Sequence, residues 1–170
     1  MSGLLGRPQL GVVERMASTD LDAVVEIERV SHPAPWAPQV FIEELAREWA
    51  HLDVLRPGPG ESILGFVNFW LVHDEVHLLN VAVHPDARRR GAASRLIEHT
   101  IDFAWRAGCR YVTLEVRRSN LGAIRLYQNF GFRQVGIRRD YYVQNREDAI
   151  VMLLEQGGKS DGGSGDRGGV

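Results

Sequence analysis

The chain has one cysteine, no apolar run long enough to cross a bilayer, no internal repeat and almost no net charge. Each absence removes a class of protein. A lone Cys109 excludes a disulfide framework within the chain and suits a reducing compartment. No stretch approaches the ~20 apolar residues of a membrane helix. The first residues lack the pattern of a signal peptide, so the expectation is a cytoplasmic protein without membrane contact. A net charge of −2 gives no field for general nucleic-acid binding, although Arg88, Arg89 and Arg90 make a local positive site. The six histidines, at 32, 51, 73, 77, 84 and 99, show no metal-ligand spacing. His73 and His77 are four apart, but the Asp74-Glu75 turn between them is not a helix, and no metal site is expected.

What is present fits a single globular domain. The chain has 170 residues, 44% of them apolar and 25% charged, enough for a sizeable core. Residues 1–10 read as a flexible lead and 156–170 as a Gly-rich, disordered tail with almost nothing to bury, leaving 11–155 as the domain.

Within the domain, strand-like and helix-like patterns alternate. Val12–Met16 reads as a strand, and Ser18-Thr19-Asp20 offers N-caps for a helix to about Val30. His32-Pro33-Ala34-Pro35-Trp36 breaks that helix, and a second runs from about Pro38 to Glu48. His51–Leu55 and Ile63–Val72 are strand candidates around a Pro-Gly turn, and Glu75–Val83 is the next. A helix from about Arg90 to Ala107 repeats apolar residues at helical spacing, with Gly108 as its C-cap. Tyr111–Val116 alternates as a strand with Val112, Leu114 and Val116 on one face. A short helix over Asn120–Asn129 and strands at Phe132–Asp140 and Ala149–Leu154 complete a βααβββαβαββ order.

The most informative stretch is Leu78 to Ala93. An alternating apolar strand ends at His84-Pro85-Asp86, and three arginines and small residues then open a long amphipathic helix. A strand delivering the chain to a cationic helix N-terminus suits a phosphate group. Arginines ahead of a helix can equally be a solvated face.

The run Arg88-Arg89-Arg90-Gly91-Ala92-Ala93 resembles the Arg/Gln-x-x-Gly-x-Gly/Ala loop of the GNAT family of acyl-CoA N-acyltransferases, with Ala93 where Gly is commoner. Leu114-Glu115-Val116-Arg117-Arg118-Ser119-Asn120, then Ala123 to Tyr127 and Asn129-Phe130-Gly131-Phe132, is similar to the second signature of that family. The resemblance runs from about Val13 to Leu154. It implies an α/β (α+β) fold whose mixed, mostly antiparallel seven-stranded sheet is flanked by four helices. It also implies acetyl-CoA as co-substrate. Arg88 to Ser94 would bind the pyrophosphate through backbone N–H groups and positive charge. The backbone of Val81, Ala82 and Val83 would contact the pantetheine arm and the acetyl carbonyl, and Asn120 would bind coenzyme A. Core packing of the valines and N-capping by Asn120 are the plainer alternatives.

Chemistry needs a base for the amine and an acid for the leaving thiolate. Glu115 matches the glutamate assigned as general base in the RimI group of the family, and Tyr127 the tyrosine assigned as general acid. A solvated carboxylate and a core aromatic are the alternatives. In the same group, segments matching Pro35-Trp36 and Arg138, Tyr141 and Tyr142 flank the entrance for a peptide. These likenesses imply acetylation of a protein N-terminal α-amine, that of a small-subunit ribosomal protein alanine in the RimI group, by a monomer or weak dimer. Two rivals stand beside it: acetylation of lysines or small amines, and a non-catalytic acyl-CoA-binding module, against which the presence of both Glu115 and Tyr127 speaks.

Overall fold

The computed structural model describes residues 10–157, so most of the lead and tail expected at 1–10 and 156–170 lies outside the described residues. The elements follow the predicted order. They are β1 (Val12–Arg15), α1 (Leu21–Ser31), α2 (Pro38–Ala46), β2 (Ala50–Arg56), β3 (Gly65–Val72), β4 (Glu75–Val83), α3 (Ala92–Arg106), β5 (Tyr111–Arg117), α4 (Leu121–Asn129), β6 (Arg133–Tyr142) and β7 (Glu147–Glu155). The seven strands form one sheet in the order β1-β2-β3-β4-β5-β7-β6. Among the described residues β4 and β5 are the one parallel pair, because α3 carries the chain back between them.

Strand alternation sends apolar side chains into two layers. On one face Val24 and Ile27 of α1 and Phe41 of α2 pack over Leu52, Val54, Phe66 and Ala82. Phe41 meets Phe66 edge-on at 5.5 Å between ring centroids, and both are fully buried. Each such burial contributes roughly 1.5–3 kcal/mol relative to an exposed ring. On the other face Leu96, Ile97 and Ala104 of α3 cover Val67, Phe69, Val76, Leu78, Val112 and Leu114. No helix among the described residues is long and apolar enough to cross a membrane.

Local chemistry sets the helix ends, and three of them depart from expectation, α2 by stopping at Ala46 rather than near Glu48. Ser18–Asp20 forms a short 3-10 turn, and no side chain caps α1. Asp20 instead accepts the Ala17 N–H at 2.9 Å and pairs with Arg56 at 2.5 Å, fastening the start of α1 to β2. Helix α3 begins at Ala92 rather than Arg90, because Arg89 and Gly91 are left-handed, with φ of 62° and 84°. At its other end Gly108, with φ 78°, closes the expected C-cap: Gly108 donates to Trp105 and Cys109 to Ala104.

Candidate active site

Strands β4 and β5 pair from Glu75 and Tyr111 only as far as Leu78 and Leu114. At that point β4 takes in an extra residue. Phe69 of β3 faces Leu78 while Asn68 faces Asn80, leaving Leu79 as a bulge. A bulge bends its strand and shifts the alternation by one residue. His77 before the bulge and Asn80 and Ala82 after it therefore all point toward the α1–α2 face. Beyond Leu78, β4 has β3 on one edge and, among the described residues, no strand on the other. The opening between β4 and β5 is a cleft of about 320 Å³, walled by residues 78–81 and 114–117, the α1–α2 loop, α4 and the β6–β7 turn.

Glu115 enters this cleft from β5. Its side chain is only 11% exposed, so it is not a solvated surface carboxylate. His77 Nε2 lies 2.6 Å from Oε2, and Arg138 Nε lies 3.3 Å from Oε1. The hydrogen bond from His77 outweighs the opposing effect of burial. Together with the charges of His77 and Arg138, it holds the Glu115 carboxyl below the usual carboxylate range. The group is ionised at neutral pH and placed to accept a proton.

Tyr127 approaches from α4, buried, with its ring edge-on to Phe132 at 5.7 Å. Burial, with a smaller contribution from Tyr142, pushes its phenol well above the ordinary value, so it remains a neutral O–H. Asn120 also lines the cleft, and its Oδ1 accepts the Ala123 N–H at 3.2 Å, so its capping role is real. Beside it Glu147 accepts the Ser119 N–H at 2.9 Å and pairs with Arg117 at 3.1 Å. These bonds, those with Ser119 foremost, lower its carboxyl to about 2. The Arg117 guanidinium in turn sits 3.9 Å above the ring of Tyr142, whose phenol burial pushes up to about 12.

The opposite wall holds a group that sequence reasoning missed. Glu28 of α1 is 1% exposed. Its Oε1 accepts the Trp36 N–H at 3.0 Å and its Oε2 accepts from Asn80 Nδ2 at 2.9 Å, while His32 Nε2 lies 2.9 Å from Asn80 Oδ1. One buried carboxylate thereby ties the α1–α2 loop to the bulged strand. A signal was present: Val24, Ile27 and Glu28 fall on one helix face, so the carboxylate lies in the apolar stripe. His77 was set aside with the other histidines, and its partner lies 38 residues away on another strand.

The α3 start lies outside the cleft wall, past the end of β4. No side chain caps the helix, so the N–H groups of its first turn face outward without a side-chain acceptor. Arg88 donates to the Val83 carbonyl and to Ser31 Oγ, both at 3.2 Å, which clamps the loop to β4 and α1. Arg89 and Arg90 are exposed, Ala92 is buried, and Ala93 and Ser94 are half-buried. At Gly91 an added Cβ would touch no protein atom within 4 Å, and the left-handed backbone there is one that glycine adopts without strain.

Of the expected acceptor residues, Trp36 and Tyr142 line the cleft. Pro35 and Tyr141 are exposed and do not. Arg138 turns toward Glu115, and Arg138 to Tyr142 lie wholly within β6 rather than partly in its loop. Tyr141 meets Tyr142 edge-on at 5.1 Å.

Residues 21–132 match the Acetyltransferase (GNAT) family. The chain is 36% identical over 147 residues to the [ribosomal protein bS18]-alanine N-acetyltransferase of Escherichia coli strain K12, an overlap spanning 85% of this chain and 97% of that protein. It is 37% identical over the same length to the enzyme of that name from Salmonella typhimurium. The crystal structure of the ribosomal-protein-S18-alanine N-acetyltransferase from Escherichia coli superimposes with a TM-score of 0.78, at 35% identity, over 90% of this chain and 98% of that one. Ard1 from Thermoplasma volcanium shares the fold, with a TM-score of 0.76 at 23% identity over 86% of this chain and 97% of that one.

Proposed function

The chain belongs to the acetyltransferase (GNAT) family of acyltransferases, and we propose that it moves the acetyl group of acetyl-CoA onto the N-terminal α-amine of a protein, in the cytoplasm. The acceptor we assign is the N-terminal alanine of a small-subunit ribosomal protein, the bS18 counterpart named for its relatives. The observation that carries this reading is the split between β4 and β5, with Glu115 and Tyr127 on its walls.

The uncapped start of α3 offers backbone N–H groups and the arginines positive charge to a pyrophosphate. The pantetheine arm then runs along the free edge of β4, where Val81 and Val83 present backbone groups. An N–H aimed at the thioester oxygen would act as an oxyanion donor, worth roughly 3–4 kcal/mol in acyl-transfer enzymes. Glu115, ionised, takes the amine proton, directly or through one water. Tyr127, kept neutral by burial, acts as general acid and passes its phenolic proton to the departing thiolate. The amine attacks the acetyl carbon directly, with no acyl-enzyme.

An α-amine suits this site better than a lysine. Its ordinary pKa near 8 leaves a useful neutral fraction at neutral pH, whereas a lysine near 10.4 needs about 3 kcal/mol more to reach that form. The loop held by Glu28, with Trp36, and the β6–β7 hairpin, with Tyr142, flank the cleft as two sides of a peptide entrance.

The test is a parallel assay of an Ala-starting ribosomal peptide, a lysine peptide with a blocked N-terminus, and spermidine. The peptide α-amine should be acetylated fastest by at least tenfold, the discrimination expected from about 1.4 kcal/mol of differential transition-state binding. Glu115→Gln and Tyr127→Phe should each lower turnover ~10²-fold or more with little change in acetyl-CoA affinity. Preferential acetylation of spermidine would reverse the acceptor assignment, and wild-type rates from both variants would remove the two roles.

A further inference from the structure

Resting on the role given above to Glu115, we propose that His77 is a positioning residue that holds this carboxylate ionised and fixed in the cleft. Glu115 is nearly nine-tenths buried, and a carboxylate moved so far out of water tends to protonate unless a donor faces it. Two groups face it here. Arg138 is long, more than half exposed, and stands 3.3 Å away, so solvent screens its pull. His77 stands at 2.6 Å and is 28% exposed, which makes its Nε2–H the closer and drier partner.

The placement of the ring follows from the strands. His77 is the last residue of β4 before the bulge to face the α1–α2 layer, in register with Thr113 of β5, two residues before Glu115 on the same face. The groups around the imidazole come from four elements. Glu115 faces it from β5, and Arg138 and Tyr141 of β6 lie beyond the carboxylate. Trp70 of β3 packs edge-on at 6.5 Å between centroids. That indole donates to Glu44 of α2 at 2.7 Å and lies under Arg47. Trp70 therefore walls one side of the ring while Glu115 takes its Nε2.

The sign of the pH effect follows. Removing the donor takes away the largest influence that lowers the Glu115 carboxyl, so the carboxyl rises toward the value burial favours. Catalysis that needs the ionised form then fails at a higher pH on the acid side.

The experiment compares wild type, His77→Gln and His77→Ala in kcat, KM and the pH dependence of kcat/KM, with acetyl-CoA binding as the fold control. It uses whichever amine the wild type acetylates, so a wrong acceptor assignment leaves it readable. His77→Ala should lose roughly ten- to a hundredfold in kcat, the fold-change a charge-assisted hydrogen bond supports, while acetyl-CoA still binds. Its acid limb should move up by about one pH unit. His77→Gln, which keeps an N–H donor, should recover most of the loss. An unmoved acid limb in His77→Ala would overturn the proposal, and so would equal losses in the two variants. A wild type that acetylates no amine would remove this inference together with the role of Glu115.

Discussion

Glu28 and Glu115 stand on opposite walls of one cleft, and each is a carboxylate taken largely out of water. Glu115 keeps its charge beside the His77 ring and the Arg138 guanidinium. Glu28 is surrounded mainly by hydrogen-bond donors: the Trp36 N–H, the Asn80 amide and, at 3.5 Å, His32. Glu28→Ala should therefore destabilise the protein by roughly 2–4 kcal/mol, because it strands two donors in a dry site. Urea unfolding would measure this, and a change below about 0.5 kcal/mol, the size of an ordinary surface substitution, would contradict it. At this scale legibility divided by the range of the partner. Glu115, Tyr127 and Asn120 could be read from a local motif, and the structure puts all three on the cleft wall. His77 and Glu28 acquire their surroundings from strands far along the chain, where spacing in sequence carries no signal.

Among the elements, β4 matters most. Its start and end follow from alternation, yet the Leu79 bulge did not, since Leu78-Leu79 reads as a buried pair in either register. That one residue turns Asn80 toward α1 and ends the pairing with β5. Helix α3 starts two residues later than its apolar pattern suggests, because that pattern cannot show that Arg89 is left-handed. The β5–α4 turn is fastened by Glu147, whose carboxyl stands at about 2 in the folded protein and near 4.3 unfolded. A carboxyl lowered by folding stabilises above its unfolded value, and that contribution drains away as pH falls through the folded one. The Tm gap between wild type and Glu147→Gln should be widest at neutral pH and should close between about pH 4 and pH 2. A gap constant across that window would contradict this placement of Glu147.

In the whole molecule, two apolar layers grip one twisted sheet, and the sheet opens where the parallel pairing of β4 and β5 gives way. Element order was legible because strand and helix periods differ so plainly along the chain, whereas the membership of the two layers came only with the fold. The opening itself was not legible, since no residue pattern announces where two strands part. The proposed chemistry rests on what enters that opening and on the helix start beyond it. The direct measurement is calorimetric titration of acetyl-CoA into the full chain. One equivalent of acetyl-CoA should bind with saturating heat, and Gly91→Val, which forces a branched side chain into the left-handed turn at α3, should weaken it. Absence of any binding by the wild-type chain would contradict the account.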